Sequence, residues 1–114
     1  MKLIINRNQS AKTGLFGGHK GMSFVLTCRV ELTPQETALI AKYKAESHPL
    51  TFRTVNGNQV PQNTVSTLMQ GVTQELSDIT ILLENEQVIK NACAGFKQLL
   101  TVMATFGGEE VFEF

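Results

Sequence analysis

The stretch best suited by residue type to hold an anion is Gly14-Leu15-Phe16-Gly17-Gly18-His19-Lys20-Gly21. Glycines free backbone N–H groups to cradle phosphate, and a lysine can close over it. The spacing departs from a Walker A loop, which needs glycine before the lysine and Ser or Thr after it. Here His19 and Gly21 stand in those places. The cluster also falls between two expected strands, whereas a phosphate loop feeds a helix N-terminus. A hairpin or Ω-type loop is therefore expected, with Leu15 and Phe16 at its tip. Leu15, Phe16, His19 and Lys20 are the candidate contacts for a partner or an anion. A small ligand held in a pocket under this loop is a further alternative.

The two cysteines and two histidines offer little chemistry. Cys28 falls on the apolar face of an expected strand and Cys93 on the apolar face of an expected helix. Buried thiols behave as small hydrophobes with raised pKa, so neither is placed as a nucleophile. A metal site needs converging ligands, and His19 and His48 both fall in expected loops. Neither histidine has an acidic neighbour in sequence to make an acid–base pair. No Ser/His/Asp or Cys/His arrangement assembles, so the expectation is no enzyme, no cofactor and no metal. Two cysteines far apart give no disulfide framework, in keeping with a reducing cytoplasm.

Charge is the other candidate. Ten basic and ten acidic residues cancel over the chain. Residues 1–57, however, hold eight basic against three acidic side chains, and residues 58–114 hold two against seven. Lys12, Lys20 and Arg29 are the candidate nucleic-acid contacts, because residues 1–30 contain no acid and clustered cations bind phosphate by releasing counterions. The five basic residues in that stretch are sparse, and no aromatic RNA-binding motif accompanies them.

Elements must position these residues. A length of 114 residues suits one domain with one core, expected over 1–114. No apolar run approaches a membrane span, and Met1–Ile5 is too short for a signal peptide. Residues 2–7 read as a strand, and Asn8–Gly21 as a long turn. Met22, Phe24, Leu26, Cys28, Val30 and Leu32 alternate with more polar residues, which predicts a long strand in the middle of an antiparallel sheet. Thr33-Pro34-Gln35-Glu36 is a capping box opening a helix that His48-Pro49 ends. Leu50–Val55 is the next strand, Asn56-Gly57 a hairpin turn, and the return strand short because Pro61 cannot donate. A brief helix over 64–70 stops at Gly71. Residues 77–85 fit strand and helix alike.

From Glu86 to Phe106 an apolar arc including Ile89, Cys93, Phe96, Leu100 and Met103 predicts a helix stopped by Gly107-Gly108. Glu84 and Glu86 fall at its start, where the dipole favours negative charge. Glu109–Phe114 reads as a last strand whose carboxylates pair across the sheet with Lys2 and Arg7, or as an acidic docking tail. The fold class expected is α+β, an antiparallel sheet of about five strands with two main helices packed on one face.

Taken in order, Gly14-Leu15-Phe16-Gly17-Gly18, Leu32-Thr33-Pro34-Gln35-Glu36 and Phe106-Gly107-Gly108-Glu109-Glu110 resemble small bacterial proteins carried on phages and integron cassettes. The resemblance implies a bacterial accessory protein and assigns no activity or functional residue. The expected partners are a second copy of the chain, as a dimer, or another protein. The charge segregation and an apolar arc wider than one core needs both point that way. Nucleic acid is the alternative partner, and no membrane is expected.

Overall fold

β2 (His19–Glu31) carries the strongest alternation in the chain, and in the computed structural model it lies between β1 (Lys2–Thr13) and β5 (Val72–Leu76). The structure describes residues 1–13, 19–106, 108–109 and 111–114, and side chains outside 10–22. All pairings in this sheet are antiparallel. Leu26 and Cys28 turn inward and are buried, while Thr27 meets Thr73 on the outer face at 3.3 Å. The expected turn over Asn8–Gly21 is mostly ladder: both strands continue to Thr13 and from His19. Asn, Gln and Ser have low strand propensity, but backbone pairing with a neighbouring strand overrides it.

Thr33 caps α1 (Pro34–Tyr43), with the Glu36 carboxylate accepting from the Thr33 N–H at 2.9 Å and Thr33 Oγ1 accepting from the Glu36 N–H. The helix ends before His48-Pro49, at Lys44, whose left-handed φ of 52° lets its N–H reach back to Ala41 and Ile40. β3 (Pro49–Val55) and β4 (Asn58–Thr64) form a hairpin over Asn56-Gly57, both at positive φ as a type I′ turn requires. β4 is longer than the proline predicts. The hairpin has two strands, so Pro61 lies on an edge-containing pair, beside an irregular register at Thr51–Phe52. Thr64 caps the short α2 (Val65–Gln70), and Gly71 at φ 87° ends it where a Cβ would stand 3.4 Å from the Cys28 carbonyl oxygen.

α3 (Ile79–Thr105) spans 27 residues and resolves the ambiguity over 77–85 in favour of helix. Asp78 is its cap, accepting from the Ile81 N–H at 2.9 Å. Glu86 therefore sits two turns inside the helix and not at its start, so the dipole does not account for it. Ile89, Ala92, Cys93, Phe96, Leu100 and Met103 are buried as the arc predicts, whereas Val102 and Phe106 are half-exposed.

The α+β class with antiparallel pairing holds, but the expected single sheet of five strands does not. Among the described residues three strands form one sheet, two form another, and there are three helices. The predicted last strand is also absent: residues 111–114 belong to no strand and their side chains are exposed. The radius of gyration is 18.4 Å, against about 13 Å for a compact chain of this length. β1 and β2 contribute to that excess. They run on as a two-stranded ribbon beyond Phe24, where pairing with β5 stops. No helix among the described residues is long and apolar enough to cross a membrane.

If Asp78 sets the start of α3, Asp78→Ala lowers unfolding stability by about 1 kcal/mol in urea denaturation, the usual cost of a lost N-cap.

Candidate interaction surface

The ribbon and the beginning of α3 flank one of the clefts on the surface. β5 ends at Leu76, and Asp78 turns the chain at once into the helix. The first turns of α3 therefore run beside the part of the sheet that β5 leaves behind. Between them is a cleft of about 290 Å³ lined by Arg7, Asn8, Gln9, Phe24, Ile79 and Leu82.

Its polar anchor is a pair that sequence reasoning assigned otherwise. Arg7 donates from Nε to Glu86 Oε1 and from Nη2 to Glu86 Oε2, the latter at 3.0 Å. This two-pronged geometry suits a planar guanidinium facing a carboxylate. The Glu86 side chain is 5% exposed and that of Arg7 53% exposed, so a buried acid is held by a cation that still faces water. The hydrogen bonds and charge of Arg7 hold the Glu86 carboxyl below the usual carboxylate range, against the opposing effect of burial. Arg7, Leu26 and Gln74 stand in one row across the three strands, on the face turned to α3. The Gln74 Oε1 atom is buried in that row without a hydrogen-bond partner in the structure.

Arg7 is thus taken by Glu86 and not by the C-terminal glutamates, correcting the expected cross-strand pairing. The two residues lie 79 apart, and nothing local in the sequence joins them. The available signal was parity, which puts Arg7 on the same face as Leu3 and Ile5, both packed against the core. A charge on that face requires a partner.

Of the predicted contact residues, Arg29 alone has a described side chain, and it does not line this cleft. Leu15 and Phe16 lie outside the described residues. His19, Lys20 and Lys12 are placed by backbone only, in the far part of the ribbon. Arg29 is exposed near the other end of β2, 3.6 Å from Glu31. Lys20 and Arg29 are nine residues apart on one strand, roughly 30 Å, so the three cations do not form one compact patch.

Cys28 and Cys93 are free and buried, and burial pushes the Cys93 thiol up to about 11 and raises Cys28 as well. His48 lines a separate concavity with Tyr43, Ser47 and Met103, and no carboxylate lies among that concavity's lining residues. Among the described residues no group of three or more His, Cys, Asp or Glu is placed to hold a metal.

The cleft therefore has apolar walls, amide groups and a guanidinium with donors to spare. Its walls and donors can pack against an apolar side chain and hydrogen-bond a polar one. Comparison with protein-family models, with curated proteins and with solved structures finds no match.

Arg7→Met should lower the melting temperature by leaving Glu86 buried and uncompensated. Arg7→Met combined with Glu86→Leu should recover most of the loss, because an apolar pair needs no partner. The pH dependence has a definite sign. Glu86 is depressed in the folded state, so its contribution is present above the unfolded carboxylate pKa and is lost as pH falls through the folded value. Melting temperatures between neutral and acid pH should fall less steeply in the double variant than in the native protein.

Proposed function

We propose that the chain is a non-catalytic interaction protein that works as a homo-oligomer in the cytoplasm, with the ribbon–α3 cleft at the contact. The observation that carries this reading is the pair Ile79 and Leu83. They stand one helical turn apart at 60% and 59% exposure, beside the cleft walled by Phe24 and Leu82. Large aliphatic side chains grouped at a cleft with a polar rim have the composition of a protein contact. A second copy seated there would bury both residues and the open walls together. The elongated shape adds support, since it leaves two-stranded ribbon surface that a second subunit can cover.

A second reading rests on a different observation. The ribbon carries Lys12 and Lys20 in a segment without acids, and a projecting basic β-ribbon can enter a nucleic-acid groove. Binding of this kind would weaken steeply with salt and with neutralisation of Lys12, Lys20 and Arg29. The wide separation of Arg29 from the ribbon tip favours the first reading.

Light scattering over a concentration series tests the leading proposal. The native chain should show twice its 12.6 kDa mass at high micromolar concentration. Ile79→Glu and Leu83→Glu should each raise the dimer dissociation constant at least about tenfold, given that burying such a side chain contributes about 1.5–3 kcal/mol. Both positions are exposed in the single chain, so circular dichroism should be unchanged. A monomer at every concentration overturns the proposal.

A further inference from the structure

We infer that residues 111–114 donate a β-strand to the open edge of β1 in a second copy of the chain. This deepens the homo-oligomer reading and rests on it. β1 pairs with β2 on one side, and among the described residues no strand pairs with it on the other. An open strand edge is a row of unsatisfied N–H and C=O groups that another strand can complete.

The donor has the composition of a strand and lacks the pairing of one. Val111, Phe112 and Phe114 are 73%, 68% and 116% exposed, and residues 111–114 belong to no strand. In an extended conformation Phe112 and Phe114 share one side, with Glu113 on the other. Set antiparallel against β1, with Phe114 beside Leu3 and Phe112 beside Ile5, the two rings extend the face that Leu3 and Ile5 already pack against the core. Glu113 then falls beside Ile4 on the outer face, diagonal to Lys2.

Charge favours this edge. Along the paired register β1 carries Lys2, besides the Arg7 that Glu86 holds, and no acid, while residues 109–114 carry Glu109, Glu110 and Glu113 and no base. The open edge of β5 offers five residues and includes Glu75, β4 contains Pro61 and no charge, and β3 begins at Pro49 and carries one cation, Arg53. A second copy is the acceptor because the donor's own side chains lie exposed and unpacked in the single chain.

Amide hydrogen exchange at low and high protein concentration tests the inference, read alongside light scattering on the same samples. Amides of 111–114 and of the outer edge of β1 should slow at least about tenfold as the dimer forms. Phe112→Asp with Phe114→Asp should abolish that protection, and this pair is exposed enough not to disturb the fold. Proline gives a strand-specific readout. Of Phe112→Pro and Glu113→Pro, the one removing the N–H directed at β1 should weaken the dimer more, an alternation that a contact made by side chains alone would not produce. A dimer that depends on Ile79 but leaves 111–114 unprotected overturns the strand donation and leaves the homo-oligomer reading intact. Protection independent of concentration overturns it too, because the strand would then fold onto its own β1. A chain monomeric throughout overturns both.

Discussion

One long helix has to be covered along its length, and the rest of the chain is arranged around that requirement. α3 runs 27 residues, about 40 Å, with a buried face that continues from Leu82 to Met103. Its first turns meet the three-stranded sheet, through Leu82 and the Glu86 contact with β1. Its middle meets β3, where the backbone at Gly95 is close enough that a Cβ would stand 3.9 Å from the Leu50 carbonyl oxygen. Its last turns lie beside α1, with Leu100 and Ala104 sharing a surface groove with Glu36 and Leu39. The three-stranded sheet, the β3–β4 hairpin and α1 thus cover successive parts of one helix.

Within this arrangement the Arg7–Glu86 pair acts more on register than on stability. A well-packed apolar pair at such a position is commonly as stable as an ion pair. A strand that slips by one residue, however, turns every side chain to the opposite face. For β1 that would carry Arg7 out to solvent and leave the Glu86 carboxylate buried alone. The pair therefore sets a penalty on one particular error. That matters because the polar run Asn6-Arg7-Asn8-Gln9-Ser10 supplies little apolar pattern to hold the register.

Legibility in the sequence follows the range of the interactions. The alternation of β2, the Thr33–Glu36 capping box, the Asn56-Gly57 turn and the stop at Gly71 are set by neighbours in the chain. All four stand in the structure as read. The start of α3 was hidden because Ile79 and Leu83 are apolar yet exposed, which blurs the helical stripe in the one region where a strand fits equally well. Ser77-Asp78 is the missed signal, a capping residue at the head of the ambiguous run. The ribbon was hidden for the opposite reason: its strands are polar, and only pairing with each other makes them strands. As for the candidate surface, the sequence reads Arg7 as a cross-strand partner of the C-terminal carboxylates and Glu86 as a helix-start acid. Their meeting depends on tertiary placement, which no local pattern records. The Arg7–Glu86 contact also joins the basic first half of the chain to its acidic second half.

The separation of Arg7 from Glu86 also fixes an order of events during synthesis. β1 and β2 emerge before α3 and are neighbours in sequence, so their hairpin can close early. The helix that covers their inner face emerges later. Until then Leu26 and Cys28 lie on an uncovered apolar strand pair, a surface prone to stick to other unfinished chains. Arg7 stands on that same surface, and a hydrated guanidinium resists burial against a foreign apolar face. The residue that fastens the finished molecule thus places a charge on the very face that stays open until the acid that neutralises it arrives.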